Sequence, residues 1–420
     1  MRELLELWNP WWADGAVPPS WRGVPRARYL DPLLSEAGRR HVSVVTGPRR
    51  TGKTTLLFQV VQALIEKGTV PGRILYAALD SPALPQDEPV GQLLREFRKL
   101  NRLGRRDRTY IFLDEAQYIK DWARWAKAIH DSENAKLYVF GSTGGIMVDD
   151  SHASLVGRWR KTVVHPLDYR EFLGFKGYEA GPAEQYLHER YLEEYARTGG
   201  FPEVACSPDP SERHQILTHY FEDFVLKDAP RFRSVRDPGT LVQLAALMAR
   251  KVGTAASLNK LARVLKMSTV AAASYMDALC GVLLYSPCEF YSRSATERAY
   301  NPKKYYPADT GLAAAVTGKF QLGTAMENLV FNHLSKSSRT FYWKSVQEAD
   351  FYQPAGRLAV EVKYGPGGDG RELRGLLALA AKEKLKKVFV ATASGESEET
   401  EGGVTVVRIP VWKILLDWPV

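Results

Sequence analysis

A run of eight residues has the types and spacing of a loop that binds phosphate. It reads Gly47-Pro48-Arg49-Arg50-Thr51-Gly52-Lys53-Thr54 and fits the pattern G-x-x-x-x-G-K-[ST] at every required position. Backbone N–H groups of such a loop converge on one phosphate, and its glycines permit the close approach. A helix that begins at Lys53 adds the positive end of its dipole. We therefore expect Lys53 to reach the β- and γ-phosphates of a nucleoside triphosphate, Thr54 to help hold Mg²⁺, and Thr55 to line the same site.

An apolar run that ends in two acids supplies the second half of such a site. Tyr110-Ile111-Phe112-Leu113 predicts a buried strand, and Asp114 and Glu115 follow it directly. A strand tip positions a carboxylate against the metal ion. We expect Asp114 to contact Mg²⁺ and Glu115 to orient or activate the attacking water. An acidic turn after a buried strand is the competing interpretation.

Two further positions are candidates for contact with the nucleotide. The strand Leu137-Tyr138-Val139-Phe140 ends in Gly141-Ser142-Thr143, where the hydroxyl of Ser142 is expected to sense the γ-phosphate. Arg158, in Val156-Gly157-Arg158, precedes another strand and is placed to reach the nucleotide of a neighbouring subunit. Arg160 is the alternate, and an ordinary exposed arginine is the competing interpretation. Such an arginine finger implies a homo-oligomer, for which we expect a hexameric ring.

The pattern of apolar runs divides the chain. Short apolar strands alternate with helices up to residue 165, which indicates a parallel sheet covered on both faces. Residues 166–236 read as helical, and three helices and a hairpin in 237–317 suggest a winged helix-turn-helix, with strands at 282–285 and 303–306. From Gly318 the order is helix, three strands, helix, two strands, helix. The sequence therefore predicts four domains: 1–165, 166–236, 237–317 and 318–420.

A second group of acidic residues lies in the last of these domains. Glu327 is predicted on a helix, Asp350 on a strand, and Glu361-Val362-Lys363 on the next strand. Glu361 and Lys363 share one face of their strand, and adjacent strands would bring Asp350 and Glu361 together as two carboxylates able to share Mg²⁺. Lys363 could then orient a water or stabilise charge on a phosphodiester. A solvated Glu–Lys strand face, or a nuclease-like fold without catalysis, is the alternative.

The charge balance favours a polyanionic partner. The chain carries a net charge of +9. The candidate recognition helix, 269–277, has no Arg, Lys, Asn or Gln for base edges, so DNA contacts would be structure-specific and made through phosphates and the wing, which includes Lys303 and Lys304. A purely architectural role is equally open. The candidate DNA-contact residues are Arg98, Lys99, Arg102, Arg105, Arg106, Lys260, Arg263 and Arg293.

Composition sets the broad class. The 420 residues are 45% hydrophobic and 25% charged, which is typical of a soluble globular protein. Cys206, Cys280 and Cys288 are scattered and not at metal-ligand spacing, so we expect them to be reduced, as in the cytoplasm. No run approaches 18 apolar residues, and the amino terminus does not read as a secretory leader, so no membrane partner is expected.

In order along the chain, these motifs resemble those of a known family, the prokaryotic AAA-type ATPases with a C-terminal domain of uncharacterised function. The resemblance implies an α/β protein with an AAA-type P-loop parallel-sheet core, a helical lid, a winged helix and a PD-(D/E)XK restriction-endonuclease-like tail. Gln117-Tyr118 stands where the family usually has an aliphatic residue, which is a harmless change if it packs on the lid. The family also implies an arginine in the lid that acts as a second sensor, and Arg197 is only a guess for that residue. The residues that carry the resemblance are Gly47-Pro48-Arg49-Arg50-Thr51-Gly52-Lys53-Thr54, Leu113-Asp114-Glu115-Ala116-Gln117, Gly141-Ser142, Gly157-Arg158, Gly199-Gly200-Phe201-Pro202, Tyr306-Pro307-Ala308-Asp309-Thr310-Gly311-Leu312, Glu348-Ala349-Asp350-Phe351 and Glu361-Val362-Lys363.

Three functions are compatible with these residues. The first is an ATP-hydrolysing motor or loader that acts with Mg²⁺ on branched or structured DNA, as in recombination or repair. The second is a nucleotide-gated signalling or defence switch without DNA translocation, since the turn Gly200-Phe201-Pro202 resembles a nucleotide-sensing feature of such switches. The third is a metal-dependent DNA nuclease for which the ATPase acts as a clamp.

Overall fold

The computed structural model describes residues 1–142, 146, 155, 157–178, 185–365 and 373–418 of the chain. It forms two compact units, Met1–His165 and Pro166–Val420. Thr143 and Val156, from the predicted sensor and finger segments, lie outside the described residues. None of the described helices has the length and apolar content needed to cross a membrane.

A parallel sheet forms the centre of the first unit, which confirms the predicted α/β core. Its strands are β1 (Val42–Thr46), β2 (Ile74–Ala78), β3 (Thr109–Asp114), β4 (Ala135–Phe140) and β5 (Trp159–Val163). They lie in the order β2-β3-β4-β1-β5, and every pairing is parallel. Val42 and Val44 enter one apolar core and Val45 the other, because successive side chains of a strand point to opposite faces.

Helices cover both faces of this sheet and precede it in the chain. The helices of the first unit are α1 (Arg2–Trp8), α2 (Trp11–Asp14), α3 (Pro19–Arg22), α4 (Ala27–Ser35), α5 (Lys53–Glu66), α6 (Pro89–Asn101) and α7 (Trp122–Ser132). Short 3-10 turns lie at Pro71–Arg73 and Ala116–Tyr118. Helix α5 buries Leu56, Leu57, Val60 and Val61, which is the spacing of one helix face.

The N-terminal segment closes the free edge of β2 with side chains. Asn9 acts like a residue of a neighbouring strand: its Nδ2 donates to the carbonyl of Tyr76 at 3.0 Å, and the N–H of Tyr76 donates to Asn9 Oδ1 at 2.6 Å. The indole N–H groups of Trp11 and Trp12 both donate to the carbonyl of Ile74, at 3.3 and 2.8 Å. An edge strand with unpaired backbone groups is a template for another chain, and these contacts remove it.

The second unit begins with a helical part, as predicted. Its described helices up to the hairpin are α8 (Tyr169–Phe175), α9 (Gln185–Thr198), α10 (Pro202–Cys206), α11 (Pro210–Glu222), α12 (Ala229–Phe232), α13 (Pro238–Ala249), α14 (Leu258–Val264) and α15 (Thr269–Gly281). A π-helical segment, Asp223–Asp228, joins α11 to α12. Later helices are α16 (Ala295–Tyr300), α17 (Thr310–Thr317), α18 (Leu322–Leu334), α19 (Arg374–Glu383) and α20 (Val411–Asp417).

One mixed sheet runs through most of the second unit. Its strands are β6 (Tyr285–Phe290), β7 (Lys304–Pro307), β8 (Phe341–Lys344), β9 (Glu348–Gln353), β10 (Leu358–Lys363), β11 (Lys387–Thr392), β12 (Ser397–Glu401) and β13 (Val404–Pro410). The order is β12-β13-β11-β10-β9-β8-β6-β7. The hairpin β6–β7, predicted as a wing, therefore continues the C-terminal sheet through the parallel pair β6–β8. The predicted boundary at 317/318 divides this sheet.

Two predicted strand patterns in this unit were wrong. The first hairpin strand begins at Tyr285 and not at Val282, because Leu283 has φ 60° and the N–H of Leu284 bonds to Leu279 while the chain leaves α15. The C-terminal part has a third strand after α19, β12, where two were predicted. All five of its residues are exposed, so it lacks the apolar pattern by which strands are recognised.

The buried carboxylate of Asp309 joins two turns of the second unit. Its Oδ2 accepts the N–H of Gly200 at 2.6 Å, and its Oδ1 accepts those of Gly311 and Leu312 at 2.9 and 3.3 Å. Gly199 has φ 74°, and a Cβ there would lie 1.9 Å from Asp309 Oδ1, so only glycine fits. Packing thus explains why glycine occupies positions 199 and 200. Nucleotide sensing by this turn stays a prediction.

Asp309 should make the stability of this unit depend on pH. Burial raises its pKa from 3.8 to about 6, although the backbone N–H groups act in the opposite direction. Because folding raises the pKa of this carboxyl group, its protonation stabilises the folded state, and this stabilisation is fully present below pH 3.8. The stabilisation is lost as the pH rises through about 6. The unfolding free energy of the wild type, minus that of Asp309→Asn, should fall by about 3 kcal/mol between these pH values. Urea unfolding at intervals across this range would measure it, and two parallel curves would contradict the assignment.

Candidate functional site

The loop between β1 and α5 is folded tightly around its first glycine. Gly47 has φ 151°, and a Cβ there would lie 2.2 Å from the carbonyl oxygen of Val164, so no other residue fits. Gly52 and Arg50 also have positive φ, 83° and 64°. The hydroxyl of Thr51 donates to the carbonyl of Pro48 at 3.0 Å and closes the turn.

Lys53 lies buried at the base of this loop. Lys53 is the first residue of helix α5, and its Nζ donates to the carbonyls of Pro48 at 2.7 Å and Gly47 at 3.2 Å. The loop's own carbonyls therefore hold the ammonium beside the backbone N–H groups that the motif supplies. A phosphate entering the loop would meet both a positive side chain and a helix N-terminus.

Thr54 and Asp114 join the two halves of the site. Thr54 Oγ1 donates to Asp114 Oδ2 at 2.7 Å, and the N–H of Glu115 donates to Asp114 Oδ1 at 3.0 Å. Burial raises the pKa of Asp114 to about 6, although the Thr54 hydroxyl lowers it. A hydroxyl and a carboxylate this close fit Mg²⁺, which is held by one or two protein oxygens and completes its shell with phosphates and water.

Gln117 lies between Glu115 and the end of β4. Its Nε2 donates to Glu115 Oε2 in a short hydrogen bond, and a Cβ at Gly141 would lie 2.1 Å from Gln117 Oε1. Glu115 itself has φ 51° and begins the 3-10 turn that carries Gln117. Ser142, which follows Gly141 after the end of β4, is buried. Gln117 therefore contacts residues of the site within the first unit. The sequence showed Gln117 only as a departure from the family pattern and did not predict this position.

Arg26 is a second residue that sequence reasoning missed. It is buried, its Nη1 donates to the carbonyl of Thr51 at 2.8 Å, and its Nη2 donates to that of His165 at 3.0 Å. The guanidinium also lies 4.7 Å from the centre of the Tyr29 ring. One side chain thus links the phosphate-binding loop to the last residue of the first unit. No motif marks it, because its partners are backbone atoms far away in the chain.

Arg158 lies at the other end of the sheet from this site. β5 pairs in parallel with β1, with Trp159 opposite Val42, and the N–H of Val42 donates to the carbonyl of Arg158 at 2.8 Å. Its Nε lies 3.6 Å from Asp131 Oδ1. The loop that holds Lys53 follows the opposite end of β1. Arg158 therefore cannot serve the nucleotide of its own subunit, so a role as a finger requires a neighbour.

The predicted acidic group of the second unit does come together. Strands β9 and β10 are antiparallel, the N–H of Asp350 donates to Glu361 Oε2 at 3.1 Å, and the N–H of Val362 donates to Asp350 Oδ2 at 2.9 Å. Lys363 Nζ lies 2.8 Å from Glu361 Oε1. Burial and the charge of Asp350 raise the pKa of Glu361 to about 8 and that of Glu327 to about 7.

A lysine lies among these carboxylates. Lys304, expected at the wing surface, is buried, and its Nζ lies 3.3 Å from Glu327 Oε1 and 3.8 Å from Asp350 Oδ1. In the part of the chain that the structure describes, no group of three or more His, Cys, Asp or Glu side chains could hold a metal ion. The expectation that Lys304 contacts DNA was therefore wrong, because its strand turns it into the interior.

The other predicted residues are scattered. Arg98 is paired with Glu133, and the exposed Arg293 with Glu383 at 3.1 Å. Arg197, the guess for a second sensor, lies 2.8 Å from Glu193 and stacks over the Phe320 ring. The remaining DNA-contact candidates are exposed: Lys99, Arg102, Arg105, Arg106, Lys260 and Arg263.

Three family models match consecutive parts of the chain. They are an AAA domain (AAA_14) over residues 39–173, a domain of unknown function (DUF8612) over 189–323 and another (DUF4143) over 322–412. Uncharacterized proteins of Haemophilus influenzae and Methanocaldococcus jannaschii are each 25% identical, over 93% and 74% of this chain and 98% and 71% of their own lengths. One of Mycobacterium tuberculosis is 24% identical over 83% of this chain and 77% of its own.

Solved structures show distant likeness. The Walker-type ATPase of Pyrococcus abyssi has a TM-score of 0.44 at 14% identity, covering 69% of this chain and 95% of its own. The Aeropyrum pernix Orc1 protein in complex with DNA has a TM-score of 0.34 at 15% identity, covering 72% and 95%. The family match and the geometry of the loop together support an AAA-type P-loop domain over residues 39–173.

Proposed function

We propose that this protein hydrolyses ATP and couples the hydrolysis to work on branched or structured DNA, as a motor or loader. The single observation that supports this most is the hydrogen bond between Thr54 and Asp114 beside the buried Lys53. It joins the phosphate-binding loop to the acidic strand end, as a site for a nucleoside triphosphate requires.

Each residue of the site has a role in this proposal. The backbone of 47–52 and Lys53 bind the phosphates, while Thr54 and Asp114 hold Mg²⁺, which neutralises charge on the β- and γ-phosphates when bound. Glu115 orients the attacking water. Gln117 positions Glu115, since its amide engages one carboxylate oxygen and leaves the other for that water. Ser142, which is buried, senses the γ-phosphate.

The position of Arg158 supports an oligomer. Its place at the amino-terminal edge of the sheet puts it beyond reach of its own nucleotide, and 42% of its side chain is exposed. A neighbour that presents its nucleotide to this edge would receive the guanidinium, which stabilises transition-state charge. We propose a closed homo-oligomeric ring of six subunits, in which each site takes Arg158 from the next.

Arginines concentrate at the same edge of the first unit. The segments before β1, β3 and β5 must meet there because the strands are parallel. Arg108 Nη2 donates to the carbonyl of Ala37 at 2.7 Å, and Arg160 Nη1 lies 3.5 Å from Glu36 Oε1, which joins the three segments. We call this surface the basic edge, and its exposed cations are Arg39, Arg40, Lys99, Arg102, Arg105, Arg106 and Arg160.

The basic edge fits a phosphate backbone better than the recognition helix does. Four acids lie at this edge, Glu36, Asp107, Asp131 and Glu133, and each already pairs with an arginine, so the seven exposed cations outnumber them. The exposed surface is therefore strongly positive, and such surfaces bind DNA by releasing counterions. Helix α15 instead exposes Val270, 80% of which is accessible, and offers no long polar side chain for base edges.

A nucleotide-gated switch is the second candidate function, and one contact favours it. Arg26 binds the carbonyl of Thr51 in the phosphate-binding loop and that of His165 at the end of the first unit. A change in the loop on nucleotide binding would therefore act directly on the segment that leads to the second unit. Slow turnover, a change of oligomeric state with ATP and no DNA binding would favour this function.

ATP hydrolysis is expected to depend on Lys53 and Glu115 and to increase with DNA. Lys53→Ala removes phosphate binding, and Glu115→Gln removes the group that orients water, so each should lower kcat at least about a hundredfold. Phosphate release would be measured with single-stranded, duplex, forked and four-way DNA at low salt. A rate that is the same with every DNA form would contradict the motor while leaving the ATPase intact.

Gln117→Leu should separate positioning of Glu115 from binding of the nucleotide. Without the amide, the Glu115 carboxylate is no longer held, so kcat should fall by about tenfold or more while KM for ATP stays nearly constant. In the Glu115→Gln background the same change should have little further effect, because the group it positions is gone. A change in KM alone, or additive losses in the double variant, would contradict the positioning role.

DNA affinity should depend on the basic edge. Arg105→Ala together with Arg106→Ala should weaken DNA binding about tenfold and reduce the slope of log K against log salt by about 2. The matched control is Lys260→Ala with Arg263→Ala, which removes the same charge from the second unit. Fluorescence anisotropy over a salt series measures both. If only the control pair loses affinity, DNA binds the second unit instead.

A further inference from the structure

Four carboxylates of the second unit converge on one buried cluster. Glu327 comes from α18, Glu348 and Asp350 from β9, and Glu361 from β10. In a nuclease-like site, carboxylates placed in this way hold a divalent cation that activates water. Buried carboxylates are unfavourable when ionised without a counterion, so such a cluster either takes up protons or holds a positive charge.

Lys304 supplies that charge from a strand outside the predicted nuclease-like domain. It lies on β7, and only 3% of its side chain is exposed. Its Nζ is 2.5 Å from Glu348 Oε1, 3.3 Å from Glu327 Oε1 and 3.8 Å from Asp350 Oδ1. An ammonium has three donors, and here three carboxylates from two elements surround it. Its contacts match what a metal ion would make in this position.

Other donors of the protein also bind the carboxylates of the cluster. Tyr306 OH donates to Glu327 Oε1 at 2.6 Å, and Lys363 Nζ lies 2.8 Å from Glu361 Oε1. One oxygen each of Asp350 and Glu361 accepts a backbone N–H across β9 and β10. Two ammonium groups, a phenol and two backbone N–H groups thus contact the carboxylates.

Backbone pairing holds the strand that carries Lys304 beside the cluster. β7 pairs with β6, with Lys304 opposite Cys288, and β6 pairs in turn with β8. The Tyr342 ring covers the ammonium, with its centre 5.6 Å from Nζ. A divalent cation among the carboxylates would lie beside this fixed positive charge, and the repulsion is strong where little water screens it.

We propose that Lys304 is the resident cation of this cluster in place of a metal ion, and that the C-terminal sheet consequently does not cleave DNA. The lysine instead fastens the hairpin β6–β7 to α18 and β9. This inference does not depend on the proposed ATPase function, because the cluster lies wholly within the second unit.

Mn²⁺ binding to the full-length protein tests the proposal. The ATP site would be silenced with Asp114→Asn, and free Mn²⁺ would be followed by its electron paramagnetic resonance signal. The Asp114→Asn protein should take up no Mn²⁺ at concentrations up to about ten times that of the protein. Adding Lys304→Met should create one site per chain, which Asp350→Asn then abolishes. Lys303→Met is the matched control, since Lys303 pairs with Glu289 at the surface and should create no site.

Each result decides the matter. Mn²⁺ uptake by Asp114→Asn that Asp350→Asn removes would overturn the proposal, as would Asp350-dependent cleavage of branched or plasmid DNA by the wild type. A folded Lys304→Met variant that takes up no Mn²⁺ would show that the lysine does not fill a cation position. Circular dichroism would show whether Lys304→Met folds. If it does not, Mn²⁺ uptake by Asp114→Asn and DNA cleavage by the wild type still decide whether the cluster binds a metal ion.

Discussion

The parallel register of the first sheet is the constraint on which the other features of that unit depend. Because β1, β3 and β4 all run in one direction, the loops that follow them meet at one edge, and Lys53, Asp114 and Ser142 are brought together there. The same register collects the segments that precede the strands at the opposite edge, where Arg158 and the basic edge lie. The parallel register thus places the candidate nucleotide site at one edge of the sheet and the surface proposed to contact partners at the opposite edge.

Buried charge organises the second unit in a comparable way. Asp309 binds the backbone of Gly200, more than a hundred residues away in the chain, and Lys304 gathers carboxylates from α18 and β9. Removing one partner of such a contact leaves an uncompensated group in the interior, so these contacts enforce a single arrangement. The Lys304 contacts join the hairpin β6–β7 to α18 and β9, in keeping with the single sheet that the hairpin and the C-terminal strands form.

The sequence was sufficient wherever a motif and a period acted together. The loop at 47–54 and the acids after β3 could be predicted because each follows an apolar strand, and Asp350 faces Glu361 because strands alternate with period two. Lys304 could not be predicted, since Lys303-Lys304 reads as two surface cations and only the distant helix α18 decides which one is enclosed. Gln117 and Arg26 were missed for a related reason, because their partners become neighbours only in the folded chain.

The N-terminal segment bears on where the first domain begins. The family match starts at residue 39, but Asn9 completes the edge of β2 and Arg26 binds the phosphate-binding loop through Thr51. A protein shortened to the matched region would expose a row of unpaired backbone groups on β2 and leave the loop carbonyl without its donor. It would tend to pair with its own copies through that edge. The ATPase unit, as a physical body, is thus larger than its sequence signature, and segments that carry no motif hold the motif in shape.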